Sequence, residues 1–206
     1  MVATADLLNR DDAPREDHFV HLRGATWADY ERVLELRGDH SAPRITYLKG
    51  TLEIMSPSLP HEGIKSTIGR LVEVWCLARG IEFSTCGSWT LKDRLKECGA
   101  EPDECYVFGP SKGVARPELA IEVVWTSGGL DKLEIYRRLG VREVWYWRRG
   151  RISVHVLRGG ERYEAAPVSE VLPGIDLEQL ASFLDRPTTS AAIVEYRRAV
   201  EASPAR

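Results

Sequence analysis

No stretch of this sequence approaches the roughly 20 consecutive apolar residues that a bilayer-spanning helix needs. The opening MVATADLLNRDDAPRED is too acidic and too poor in apolar residues for a secretory signal, so the expected setting is cytoplasmic, with no membrane partner. Cysteine is scarce. Cys76, Cys86, Cys98 and Cys105 form no C-x-x-C pair and have no histidine at finger spacing, which argues against a zinc site and leaves reduced thiols. An excess of positive charge is also missing: 28 Lys and Arg face 31 Asp and Glu, a net charge of -3, so the chain lacks the basic footprint of a protein that holds nucleic acid by charge alone. Local clusters would have to make any such contact. Lys92, Arg94 and Lys96, Arg137 and Arg138, and Arg148, Arg149 and Arg151 are the candidates, and each by itself reads as a solvated face.

What is present is an ordinary globular composition, 43% hydrophobic and 29% charged over 206 residues, enough for one sizeable core. Residues 1–25 mix charges, Pro14 and Gly24 without a period and read as a tail or irregular lead-in. A single domain is expected over 26–186, with a closing helix over 187–206. Thr26 and Asp29 match a capping box for a helix over 26–37, and RITYL and TLEIM, separated by Lys49 and Gly50, match a two-residue hairpin. HEGIKSTIGRLVEVWCLARG carries Ile64, Ile68, Leu71, Val72 and Trp75 at helical spacing and stops at Gly80. IEFSTC and SWTL read as short strands, and DRLKECGAEP as a polar loop leading into the strand DECYVF. LAIEVVW, LDKLEIYRRLG and VREVWYW read as strand, helix and parallel strand, followed by the antiparallel pair RISVHVL and RYEAA and two closing helices.

The chemistry starts from Glu122, the one charge in the apolar run LAIEVVW. Alternation puts it on the face of Ala120 and Val124, opposite Ile121, Val123 and Trp125. A buried carboxylate needs a partner, and an ion pair with a core arginine or a protonated glutamate would satisfy that need without any function. Two neighbours favour a site. Asp103 stands at the entrance of the preceding strand, and the excursion through PSKGVARP can bring the two strands together. Two facing carboxylates repel, and a magnesium or manganese ion resolves the repulsion. Lys132, on the helix after Glu122, can return its ammonium to the strand end and stabilise the charge of phosphoryl transfer.

The order PDECYVF, ELAIEVVWTSGG, DKLEIYRRLGVREVWYW, with YLKGTLEIMSPSLPHEGI upstream, resembles the Uma-two restriction-endonuclease family, a branch of the PD-(D/E)XK nuclease superfamily. The resemblance runs from about Thr26 to about Val168 and implies an α/β fold, a restriction-endonuclease-like mixed β-sheet core flanked by helices. It implies that Asp103 and Glu122 hold the metal, and that Lys132 completes the catalytic set with Tyr136 one turn on. The usual lysine two residues past the second acid is replaced by Val124, and the turn before the helix is shortened to TSGG. Glu53 and His61 are possible accessory residues. Glu53 reads first as a solvated strand residue and His61 as a helix cap, with the cleft and a phosphate as their respective alternatives. Trp145 and Trp147 share a face suited to core or dimer packing.

The resulting expectation is a magnesium-dependent endonuclease acting on DNA, with manganese able to substitute and RNA an open alternative substrate. Homodimerisation follows from the resemblance, since cutting both strands usually takes two sites. A non-catalytic nucleic-acid-binding or regulatory module that keeps the fold is the competing expectation, motivated by the acidic composition and the short TSGG turn.

Overall fold

The computed structural model describes residues 14–87 and 89–202. Residues 18–23, expected to be irregular, instead form a strand, β1 (His18–Arg23), which pairs antiparallel with β3 (Thr51–Ser56). Helix α1 (Trp27–Arg37) starts at Thr26, whose side chain and backbone exchange hydrogen bonds with Asp29 in a complete capping box. The hairpin of β2 (Arg44–Leu48) and β3 turns at Lys49 and Gly50, both with positive φ, 44° and 83°, as a two-residue mirror-image turn requires. DRLKECGAEP does not stay a loop. It completes a second hairpin, β5 (Leu91–Asp93) with β6 (Cys98–Ala100), and β6 pairs with β2. The result is a five-stranded antiparallel sheet in the order β1-β3-β2-β6-β5.

The second sheet is six-stranded and mixed, β11-β10-β9-β8-β7-β4, and with its flanking helices it gives the expected α/β architecture, to which the five-stranded sheet is added. Its members are β4 (Ser84–Thr85), β7 (Glu104–Val107), β8 (Leu119–Val123), β9 (Glu143–Arg148), β10 (Arg151–Arg158) and β11 (Arg162–Ala166). IEFSTC is thus strand over two residues only. The β8 and β9 strands run parallel, joined through α3 (Lys132–Leu139), as the strand-helix-strand pattern required.

Helix α2 (Leu59–Ala78) packs Ile68, Leu71, Val72 and Trp75 against Ile121 and Val123 of β8 and Trp145 and Trp147 of β9. Two further helices, α4 (Leu177–Ala181) and α5 (Thr189–Ala202), close the same core. On the opposite face Ala120 of β8 packs with Ile135 and Tyr136 of α3 and with the β5-β6 hairpin. This alternation delivers Glu122 to the α3 side of the sheet, where helix and strand side chains can meet it. Among the described residues no helix is long and apolar enough to cross a membrane, and all four cysteines are free thiols.

Candidate active site

Strands β7 and β8 are antiparallel with Glu104 opposite Ile121, so Asp103 enters β7 beside Glu122. The Val123 N–H donates to Asp103 Oδ2 at 2.6 Å, tying the two acidic positions through the sheet backbone. Glu122 is 3% exposed. Its Oε2 accepts from Lys132 Nζ at 2.6 Å, and its Oε1 accepts from the Tyr136 hydroxyl. Lys132 opens α3 and Tyr136 lies one turn later, so both point from one helix face onto the same carboxylate. The shortened TSGG turn therefore leaves Lys132 within reach of Glu122.

Asp103 is fully buried and has a separate set of partners. Arg44 Nη1 and His61 Nε2 both meet its Oδ1, at 2.9 and 3.0 Å. Arg44, itself 2% exposed, also donates from Nη1 to the Pro102 carbonyl and from Nη2 to Glu62 Oε1. His61 does not cap α2; Ser58 does, accepting from the His61 backbone N–H. The imidazole instead bridges two acids, because its Nδ1 lies 3.0 Å from Asp17 Oδ2. Asp17 is further held by the Ser58 N–H at 2.8 Å, and its own N–H donates to Thr126 Oγ1.

Asp17 and Arg44 were missed in the sequence. Asp17 sits in a segment with no periodicity, so nothing there marks it. Arg44 carried a usable signal, a charge at the head of an otherwise apolar strand, of the same kind as Glu122. Glu53 corrects another expectation: it is 1% exposed, not solvated, and accepts from the Leu130 N–H at 2.7 Å and from His21 Nε2 at 2.8 Å. It thereby ties the TSGG loop to the first sheet.

These partners set the charge states. Burial would lower the Lys132 pKa, but Glu122 and Asp103 outweigh it and hold the ammonium above its ordinary value. Burial raises the Glu122 carboxyl, with Lys132 opposing and Asp103 adding to the shift. Asp103 is driven the other way: burial alone would raise it, yet Arg44 and His61 keep it far below the usual carboxylate range. Burial pulls His61 down, but hydrogen bonds to Asp103 and Asp17 push it up to about 9, so the bridge is an imidazolium at neutral pH.

Between the two sheets lies a cleft of about 410 Å³. Phe19 and Glu53 line one side, Tyr146, Arg148, Ser153 and His155 the other, and Glu122, Lys132, His61 and Asp17 are reached from it. Asp103 does not line it. The oxygens Asp103 Oδ2, Glu122 Oε1 and Glu122 Oε2 each take one of the hydrogen bonds described, which leaves each a lone pair for a hard cation. Among the described residues no group of three or more His, Cys, Asp or Glu is placed to hold a metal ion, so the site offers a cation two carboxylates at most. Magnesium commonly binds through one or two carboxylates and keeps several waters, so the donor set fits that ion and not structural zinc.

A family match extends over residues 27–185, to a family described as "Putative restriction endonuclease". The chain belongs to the Uma2 family. Its match to this Uma2 model takes in Glu53, His61, Asp103, Glu122, Lys132 and Tyr136 but begins after β1 and Asp17. A comparison with curated proteins found no match.

Proposed function

We propose that this Uma2 protein is a metal-dependent endonuclease that hydrolyses DNA phosphodiester bonds in the cleft, in the cytoplasm. The observation that carries the reading is the 2.6 Å pairing of Lys132 with Glu122 beside Asp103, with Lys132 and Glu122 lining a cleft of about 410 Å³. In this reading Asp103 and Glu122 hold magnesium or manganese. Bound there, the ion supplies Lewis-acid activation of the phosphate and of the attacking water. The protein groups do the rest. Lys132, paired with Glu122 at the site, orients the water and stabilises negative charge on the phosphoryl oxygens. Tyr136 holds Glu122 from its other oxygen, fixing the carboxylate plane. Arg44 and His61 keep Asp103 ionised and ready as a ligand. Homodimerisation enters this proposal only for duplex cutting, where each strand needs a cleft.

The test is incubation of the chain and of Asp103→Ala with plasmid DNA and magnesium or manganese. Nicking by the chain and none by the variant is expected; equal nicking by both would reject the assignment. One observation favours a second reading, a nucleic-acid-binding module without catalysis: Lys132, Arg44 and His61 already balance the two acids. Calorimetric titration with manganese separates the two, since heat that disappears in Glu122→Ala favours the enzyme and no heat favours the module.

A further inference from the structure

We propose that the β9-β10 turn, with Arg148, Arg149 and Arg151, is a clamp for the phosphate backbone of duplex DNA beside the cleft; this rests on the endonuclease reading of that cleft and deepens it. Placement is the first argument. Tyr146 of β9 lies opposite Glu122 of β8, and Ser153 of β10 lies opposite Tyr146, so the three share one face of the mixed sheet. Arg148 comes two residues after Tyr146 and is paired with Arg151 across the hairpin, which puts both arginines on that face as well. Two residues of strand advance about 7 Å, about two base steps along one DNA strand, so the arginine pair stands within about two nucleotides of Glu122. The turn also lies at the carboxyl ends of the parallel strands β8 and β9, the end at which open α/β sheets take their ligands.

Pairing supplies the second argument. Of the three basic clusters in the sequence, two are largely spent on neighbouring acids: Lys92 pairs with Glu31 and Lys96 with Asp93, and Arg137 and Arg138 both pair with Glu134. At the next turn along the sheet Arg158 and Arg162 pair with Glu164. Arg148, Arg149 and Arg151 are exposed and make no ion pair with any described residue. Like charges directly opposite on a hairpin destabilise it, and Arg148 opposite Arg151 is such a pair. Arg149 and Gly150 form the tight turn itself, with φ of 49° and 80°, so the three guanidinium groups leave from one short, well-defined loop. Three uncompensated arginines held together at a cost in stability suit a polyanion supplied from outside, and the planar guanidinium fork matches phosphate oxygens.

Charge inside the cleft gives the third. Its lining acids are Asp17, Glu53, Glu122 and Asp131, and its lining bases are His61, Lys132 and Arg148. Lys132 is paired with Glu122 and His61 with Asp17, while Asp131 caps α3 and Glu53 accepts from His21 and the Leu130 N–H. Among these bases Arg148 has no acid within the described residues, and it belongs to the turn. An interior balanced in this way does not attract a polyanion by itself. Affinity for the backbone has to come from the edge of the cleft, where the three arginines stand, and a duplex presents its phosphates outward to such an edge.

The experiment is fluorescence anisotropy on the full chain in chelator, with a labelled duplex of about 20 base pairs over a series of salt concentrations. The triple variant Arg148→Gln, Arg149→Gln, Arg151→Gln is expected to bind at least about tenfold more weakly at low salt and to lower the slope of log affinity against log salt by about 2–3. Arg149→Gln alone, at the tip of the turn, should lower it by about 1. The loss should be equal on duplexes of unrelated sequence, because phosphates carry no sequence information. Lys92→Gln, Arg94→Gln, Lys96→Gln removes the same amount of charge from the β5-β6 hairpin and should bind as the native chain does. A native salt slope in both turn variants, an equal loss in the β5-β6 variant, a loss confined to one sequence, or no duplex binding by the native chain overturns the proposal. Adding magnesium or manganese tells the two readings apart. Duplex held through the turn but never cut removes the nuclease reading and leaves the clamp. Duplex cut by the native chain, with the turn variants binding as tightly as it does, does the reverse.

Discussion

The ammonium of Lys132 lies 2.6 Å from Oε2 of Glu122, ten positions earlier in the chain, across the junction between the central strand β8 and helix α3. In the proposed site this pair would stand for the expected arrangement in which acid and lysine lie two residues apart on one strand, where this chain has Val124. Lys132 meets Glu122 because it opens α3 and its four-carbon stem reaches back over the turn.

Breaking this pair from one side is expected to be costly. Lys132→Met leaves Glu122 buried without its cation and should lower unfolding stability by about 3–5 kcal/mol. The double variant Glu122→Gln with Lys132→Met should recover most of that loss and cleave nothing. Urea unfolding of the three proteins checks the cycle, and a double variant no more stable than the single one would contradict it.

His61 makes stability depend on pH. Its folded value of about 9 lies above the ordinary 6.5, so its contribution is complete below pH 6.5 and is lost as pH rises through about 9. In chelator, the stability advantage of the native chain over His61→Gln should therefore shrink across that window. A constant advantage from one end to the other would show that His61 is held neutral.

Asp17 acts at one remove, through His61, on Asp103. Groups that orient a metal ligand in this way typically carry about 10–100-fold of metal affinity or activity. Asp17→Ala is expected to weaken manganese binding by that factor, with Asp17→Asn intermediate because its amide oxygen can still accept from the Ser58 N–H. Calorimetric titration gives the answer directly, and unchanged manganese affinity in a folded Asp17→Ala would limit Asp17 to fastening β1.

Gly99 tests the first sheet independently of the site. A Cβ there would fall 2.2 Å from the Tyr30 hydroxyl, and the Tyr30 ring is held by stacking on Tyr47 and an edge contact with Trp27. Gly99→Ala should cost about 1–3 kcal/mol through overpacking. Tyr30→Phe in the same background should relieve part of it, and thermal unfolding of both variants reads the difference.

Elements governed by neighbours in the chain are legible in the amino-acid order. The capping box of α1, the Lys49-Gly50 turn, the apolar stripe of α2 and the parallel β8-α3-β9 unit all follow from local hydrogen bonding, backbone preference and periodicity. Glu122 stands out for the same reason, as one charge in a strand too apolar to tolerate it alone. The second hairpin is hidden because Leu91–Asp93 and Cys98–Ala100 are three residues each, too short to display alternation.

What the sequence by itself determined is the elements coded by near neighbours, α1, the β2-β3 hairpin, α2 and the β8-α3-β9 unit, and the acidic position on β8, since all rest on interactions within a few residues. The tertiary structure alone decided the partners. Arg44 reaches Asp103 across 59 positions, Asp17 reaches His61 across 44, and Glu53 reaches the Leu130 N–H across 77. Such pairs form because burying a charge requires whatever opposite charge or donor the packed chain brings nearest, and only the closure of two sheets around one cleft fixes which residue that is.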